Sequence, residues 1–181
     1  MHGKGRADMC LSWKAWNPQR DPRYLAHKTK GKIMDEMKKV LVVDDEEIVR
    51  LSHMRTLAGQ SCRVEAAEAG DQALENMQRA PADVVLMDLR MPGMDGLAAL
   101  KAIKERWPET EVVIITGYPS VYTAREAVKL GAYDYLAKPV APDEVLAVTN
   151  EAMAHRGWVP LPGDKGGHGK YSHKRCAKYL D

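Results

Sequence analysis

Long apolar runs are missing from this 181-residue chain. A helix that crosses a bilayer needs about 20 predominantly apolar residues. No uncharged run here comes close, so no membrane span is expected. The first 16 residues carry early positive charge but no continuous apolar stretch followed by a small-residue cleavage site, which excludes a recognisable secretion signal. Cysteine is scarce as well. Cys10, Cys62 and Cys176 are few and widely spaced, which argues against a disulfide framework and for a reducing, cytoplasmic compartment. What the chain does contain is ordinary for a globular protein. Its 45% hydrophobic and 29% charged residues fit neither wholesale disorder nor a collagen-like repeat. Its length suits one domain of about 100–150 residues with extensions, and a second full-sized domain is not expected.

The net charge of +2 conceals an asymmetry. Residues 1–39 carry 10 Lys/Arg against 4 Asp/Glu, residues 40–155 carry 11 against 19, and residues 156–181 carry 6 against 2. An acidic middle of net −8 thus lies between two basic tails. Sequence-independent nucleic-acid binding runs on Lys and Arg releasing counterions from phosphates, for which an acidic domain is poorly suited. The tails, residues 1–38 and 156–181, bury too little apolar area to order and are expected to be disordered extensions. Met34 and Met37 stand immediately before the first patterned segment, and translation starting at one of them would explain the unpatterned N-terminal tail. In the C-terminal tail His168, His173 and Cys176 are zinc-ligand types, but their spacing matches no closed four-ligand site, and a disordered tail is the preferred reading.

From Val40 onward the pattern is regular. Strand-length apolar runs occur at 40–43, 64–67, 84–87, 112–115 and 133–137, separated by helix-length segments. Ile48, Leu51, Met54, Arg55 and Leu57 follow helical spacing in the first, and Leu97, Leu100, Ile103 and Trp107 do so in the third. Gly70-Asp71 and Asp95-Gly96 suit the starts of the second and third helices. Pro142-Asp143-Glu144 opens the last, whose face is Val145, Leu146, Val148, Thr149, Ala152 and Met153. Strands that are apolar throughout, without alternation, imply burial on both faces of a parallel sheet. Right-handed crossovers then give a doubly wound α/β domain of five strands and five helices. Sheets of this kind place ligands beyond the carboxyl ends of their strands.

Those ends carry chemistry. The first strand runs into Asp44-Asp45, the third into Asp88, the fourth into Thr116 and the fifth into Lys138-Pro139. Three carboxylates form a hard, oxygen-rich set suited to Mg²⁺. The cation would relieve their repulsion and neutralise phosphoryl oxygens, while Asp88 can act as a nucleophile forming an acyl phosphate. Lys138 can pair with a phosphoryl oxygen and the Thr116 hydroxyl can bond to another. Plainer readings stand beside these: Asp44 and Asp45 as helix caps, Thr116 as a strand-end residue, Lys138 as a surface lysine. Met87, Met91 and Met94 read as packing residues and not as metal ligands.

Four phrases carry a resemblance: Val-Leu-Val-Val-Asp-Asp-Glu at 40–46, Leu-Met-Asp-Leu-Arg-Met-Pro-Gly-Met-Asp-Gly at 86–96, Ile-Ile-Thr-Gly-Tyr at 114–118 and Gly-Ala-Tyr-Asp-Tyr-Leu-Ala-Lys-Pro at 131–139. In order and spacing the segment 39–155 resembles a two-component response regulator receiver domain of the CheY-like superfamily, most closely those of nitrogen-regulator-type activators. The resemblance implies a flavodoxin-like strand order 2-1-3-4-5. It implies that Asp88 is the phosphoacceptor, that Asp44, Asp45 and Asp88 hold Mg²⁺, and that Thr116 and Lys138 sense the phosphoryl group. Tyr135 would be an aromatic rotamer switch, or else a static core residue. Arg90 and Tyr118, two positions after Asp88 and Thr116, would border the site and lengthen the life of the acyl phosphate by restricting hydrolytic water. Gly117 would leave room for Thr116 to move inward. Val140 stands where relatives often have phenylalanine, which this chain lacks entirely, so a dimer contact there is doubtful.

By the same resemblance the phosphodonor is a sensor histidine kinase or a histidine phosphotransfer protein, and the output is an altered surface on the fourth helix, fifth strand and fifth helix, read by an unknown downstream protein. The 26 residues after 155 are too few for a DNA-binding or ATPase module, so a single-domain regulator is the leading expectation. The alternatives are the receiver of a truncated transcriptional activator, a non-phosphorylated pseudo-receiver, and a Mg²⁺-dependent phosphoaspartyl hydrolase of the haloacid-dehalogenase type. Hydrolases of that type usually keep a second acid where Arg90 stands. On this reading the protein is a phosphoacceptor and not a turnover enzyme.

Overall fold

The valine-rich runs form strands and the amphipathic segments between them form helices. In a computed structural model, residues 37–155 are described. The expectations for the two tails, including Met34, His168, His173 and Cys176, lie outside the described residues. The strands are β1 (Lys38–Val43), β2 (Cys62–Ala67), β3 (Val84–Met87), β4 (Glu111–Thr116) and β5 (Asp134–Ala137). The helices are α1 (Glu47–Leu57), α2 (Gly70–Arg79), α3 (Gly96–Arg106), α4 (Val121–Lys129) and α5 (Pro142–His155). All pairings are parallel, in the order β2-β1-β3-β4-β5. None of the described helices is long and apolar enough to cross a membrane.

Alternate residues of each strand feed two apolar layers. Leu41, Val43, Val85, Met87, Val112, Ile114 and Tyr135 face one layer, completed by Ala73, Leu74 and Met77 of α2, Ala99, Leu100 and Ile103 of α3, and Ala124 and Ala127 of α4. Val40, Val42, Val84, Leu86, Val113, Ile115 and Leu136 face the other, completed by Leu57 of α1 and by Val145, Val148 and Ala152 of α5. Each fully buried Leu or Ile contributes about 1.5–3 kcal/mol relative to exposure. Two-sided burial is thus the reason the strands read as unbroken apolar runs. Met87 and Met91 are buried in the first layer and Met94 packs against it, in keeping with a packing role.

Three details differ from the sequence pattern. First, β1 and β4 extend over polar residues, Lys38, Lys39, Glu111 and Thr116, because the hydrogen-bond ladder continues past the apolar run. Second, α1 keeps only part of the expected face inward. Leu57 is buried and Met54 packs against the layer, but Ile48 and Leu51 are exposed, at 76% and 43%, and His53 is buried in their stead. Arg50 also points toward the sheet end, its Nη1 donating to the carbonyls of Asp44 and Asp45 at 2.6 and 2.9 Å. Third, neither Asp44 nor Asp45 caps α1. The N-cap position is Glu46, with no side-chain cap, and Asp44 Oδ1 accepts from Glu46 N at 3.0 Å. Asp95 does cap α3, accepting from Leu97 N at 3.3 Å.

One glycine is demanded by packing at the site's edge. A Cβ on Gly96 would lie 2.3 Å from the Asp88 carbonyl oxygen and 2.7 Å from Leu89 Cα, both backbone atoms that cannot step aside. A Cβ on Gly59 would meet nothing within 4 Å. Gly96→Ala is therefore expected to destabilise the domain by about 1–3 kcal/mol and Gly59→Ala to leave it within ~0.5 kcal/mol, as read from urea unfolding midpoints.

Candidate functional site

Parallel register brings the strand ends together. Val43 pairs with Met87 and Met87 with Ile114, so the residues that follow emerge side by side. Backbone bonds carry the ladder one step further: Asp44 N donates to Ala67 O at 3.2 Å, Asp88 N to Val43 O at 2.9 Å, and Lys138 N to Thr116 O at 2.8 Å. Each side chain therefore leaves from a fixed backbone position.

Carboxylate oxygens of Asp44, Asp45 and Asp88 lie within 4.8 Å of one another. Asp44 and Asp88 are buried, at 2% and 6% exposure, and Asp45 faces solvent. Lys138 Nζ sits between the two buried acids, 2.6 Å from Asp44 Oδ2 and 2.6 Å from Asp88 Oδ2, with Glu46 Oε1 at 4.0 Å. Burial on its own would lower the lysine's pKa. The hydrogen bonds to Asp44 and Asp88, and their charges, outweigh that, so the ammonium is held above its usual range. Three formal negative charges against one positive leave two, the charge of one divalent cation. With their hard oxygen donors, Asp44, Asp45 and Asp88 fit Mg²⁺, which takes a few carboxylates together with waters and phosphoryl oxygens.

The remaining sequence candidates surround this cluster. Thr116 is fully buried at the end of β4, and its Oγ1 accepts from Tyr118 N at 3.2 Å. Arg90 N donates to Asp88 Oδ1 at 3.1 Å, and the Arg90 guanidinium lies 4.3 Å over the Tyr118 ring, a cation–π pair. Both residues are exposed. Tyr135 is fully buried against α4, its hydroxyl 2.8 Å from Thr123 Oγ1. A Cβ on Gly117, the residue after Thr116, would meet only Lys138 Cδ at 4.0 Å, its chain neighbours aside. Val140 is half-buried and packs against the α1/α5 layer.

Several contributors escaped the sequence pattern. Glu46 extends the acidic rim, Arg50 clamps the β1–α1 turn, and Ser120 and Thr123 engage Tyr135. Glu46 follows directly on Asp45 and could have been found by adjacency. Arg50 sits among apolar helix positions and gives no signal of facing inward.

Comparison with known proteins fits this geometry. Residues 40–150 match the response regulator receiver domain family. The chain is 43% identical over 116 residues to the DNA-binding transcriptional regulator NtrC of Escherichia coli K12, covering 64% of this chain and 25% of that protein. It is 45% identical over 120 residues to the transcriptional regulatory protein ZraR of the same organism, covering 64% and 26%. The chain thus spans about a quarter of the length of these curated relatives. Among solved structures, a response regulator receiver domain protein from Clostridium thermocellum superposes with a TM-score of 0.62 at 30% identity, over 66% of this chain and 96% of that one. Chemotaxis protein CheY4 of Vibrio cholerae gives 0.61 at 32%, over 64% and 98%.

The lysine's raised pKa sets a direction for stability against pH. Its contribution is complete below the unfolded value near 10.5 and is lost as pH rises through the higher folded value. The stability difference between wild type and Lys138→Met, measured by denaturant unfolding, is expected to be constant from neutral pH to about pH 10 and to shrink above it.

Proposed function

Since the chain belongs to the response regulator receiver family, we propose that it is a phosphorylation-controlled switch in which Asp88 accepts a phosphoryl group from a histidine kinase or a histidine phosphotransfer protein. The observation that carries this reading is the position of Lys138 Nζ, 2.6 Å from both Asp44 and Asp88. A cation so placed leaves the Asp88 side chain beside a positive charge, ready for the oxygens of an incoming phosphoryl group. In the transfer, the phosphorus–nitrogen bond of the donor phosphohistidine breaks as a bond from an Asp88 carboxylate oxygen to phosphorus forms, and the imidazole leaves to be protonated. Positioning and charge neutralisation are most of what such a transfer needs. Mg²⁺, held by Asp44, Asp45 and Asp88, would supply further neutralisation of the phosphoryl oxygens when bound. Such a protein turns over no external substrate.

Asp88 is then read by its neighbours. The new group adds about −1.5 to −2 charges. Lys138 can move from its bond with Asp88 Oδ2 to a phosphoryl oxygen, and the Thr116 hydroxyl can exchange the Tyr118 amide for another. Gly117 places no side chain beside Thr116 to oppose that movement. The output is a population shift at α4, β5 and α5, offered to a protein target in the cytoplasm. As a single-domain regulator, with residues 1–38 and 156–181 as extensions of the 39–155 receiver, the protein would act by protein–protein contact or as a phosphorelay intermediate. The identities to NtrC and ZraR favour a second reading, the receiver of a transcriptional activator. The mass of the native gene product separates these two arrangements.

Arg90 and Tyr118 are assigned to the lifetime of the phosphoryl group. Arg90 N bonds to the Asp88 carboxylate and the Arg90 guanidinium stacks on Tyr118, and a bulky exposed pair two residues from Asp88 and Thr116 would restrict the approach of hydrolytic water.

Two experiments test the proposal. Acetyl phosphate with Mg²⁺ should give one phosphoryl adduct per chain by intact mass, lost in Asp88→Asn and abolished when Mg²⁺ is chelated. Turnover of phosphodonor with no accumulating adduct would instead indicate a hydrolase, and absence of reaction a pseudo-receiver. Replacing both Arg90 and Tyr118 by alanine should speed loss of the adduct roughly tenfold, ~1.4 kcal/mol off the hydrolysis barrier. An unchanged or slower loss would reject the role of the pair.

A further inference from the structure

Two of the three clustered carboxylates are tied down at both oxygens. Asp44 Oδ1 accepts from Glu46 N at 3.0 Å and its Oδ2 from Lys138 Nζ at 2.6 Å. Asp88 Oδ1 accepts from Arg90 N at 3.1 Å and its Oδ2 from the same Nζ at 2.6 Å. Asp45 is different. Its carboxylate faces solvent and makes no hydrogen bond or ion pair among the described residues, yet it lies with the other two in the 4.8 Å cluster. Its place there rests on its backbone.

That backbone is held by one side chain. Arg50 Nη1 donates to the Asp44 carbonyl oxygen at 2.6 Å and to the Asp45 carbonyl oxygen at 2.9 Å. These carbonyls belong to the two peptide units that flank the Asp45 Cα. Peptide units are planar, so holding both of them sets the two soft dihedrals of Asp45. The guanidinium stands there against other pressures. Arg50 lies near the N-terminus of α1, where the helix dipole disfavours a cation, and its side chain is only 15% exposed. Its Nη2 reaches Glu68 Oε2 only at 4.0 Å, and Glu68 is itself 70% exposed, a contact that contributes little. The two carbonyl bonds are what keep the cation in place.

We propose that Arg50 is the positioning residue for Asp45, and that by fixing this third acid it strengthens Mg²⁺ binding although its own charge repels the ion. The consequence for Mg²⁺ rests on the reading of Asp44, Asp45 and Asp88 as the holders of that cation. Two effects of Arg50 oppose each other. By charge alone, removing a guanidinium bonded to the backbone of two of the acids leaves the site more negative and should tighten cation binding. By position, removing it frees the one carboxylate that no other group orients. Position outweighs charge because Mg²⁺ demands near-ideal octahedral geometry, and a wandering ligand meets that demand poorly. Groups that orient metal ligands from behind are worth roughly tenfold or more in affinity.

MgCl₂ titrations of the full chain, followed through amide NMR shifts, read the affinity, and ¹⁵N relaxation of the metal-free protein reads the turn. Arg50→Met keeps an unbranched side chain and removes the donors and the charge. It should weaken Mg²⁺ binding roughly tenfold. In the metal-free variant the order parameters of the Asp45 and Glu46 amides should fall from about 0.85 toward about 0.6. Arg50→Lys keeps the charge on a different stem and should recover part of both, leaving binding roughly threefold weaker than wild type. Glu68→Gln leaves the carbonyl bonds in place and should stay within about twofold of wild type. Binding that is unchanged or tighter in Arg50→Met overturns the proposal in favour of charge alone, and so do order parameters equal to those of wild type. Should Arg50→Met fail to fold, Arg50→Lys decides: wild-type affinity overturns the proposal, and weaker binding at an unchanged urea midpoint supports it. A wild type with no saturable Mg²⁺ shift rejects the cation reading of the three acids. The metal-free relaxation then still decides whether Arg50 holds Asp45.

Discussion

Two carboxylates delivered by adjacent strands, Asp44 from β1 and Asp88 from β3, are held together by the ammonium of Lys138 from β5. That three-body contact is the constraint on which the site depends. Without the cation, like charges would face each other across a partly buried space, where repulsion is screened far less than in water. Arg50 adds a second, weaker restraint by gathering the Asp44 and Asp45 carbonyls. The cluster stays net negative even so. It is therefore primed to respond both to a divalent cation and to an anionic group that competes for the same lysine.

The sheet makes this arrangement possible at low cost. Five parallel strands stop at the same edge, and the ladder passes through Asp44, Asp88 and Lys138 before the chain turns away. Because the interior layers on both sides are apolar and close-packed, the strands cannot slide to relieve electrostatic strain. The first turn of α4 is held in part by hydrogen bonds among Ser120, Thr123 and Tyr135.

Much of this was legible in the sequence because the two signals that mattered are local and strong. Two-sided burial forces unbroken apolar runs, so 40–43, 64–67, 84–87 and 112–115 could be read directly, and a carboxylate or ammonium directly after such a run must stand at the sheet edge. Polar strand residues such as Lys39 and Glu111 broke the apolar signal and shortened the runs. In α1 the pattern pointed to Ile48 and Leu51, whereas His53 and Arg50 turn inward, one into the packed interface and one toward backbone carbonyls. Polar residues that earn burial through hydrogen bonds look like surface residues in a hydropathy pattern. The Thr123–Tyr135 contact was invisible for another reason. It depends on how α4 lies across β5, and nothing in the spacing of 120, 123 and 135 encodes that crossing.

The two strands at the margins of the sheet have a consequence for self-association. β5 has four residues, and β2 carries Arg63 and Glu65 paired with each other at 3.0 Å, Glu65 also meeting Lys39 at 2.9 Å. Short margins and charged ones discourage strand-to-strand annealing between molecules. A domain with margins of this kind can be concentrated with less tendency to anneal edge to edge.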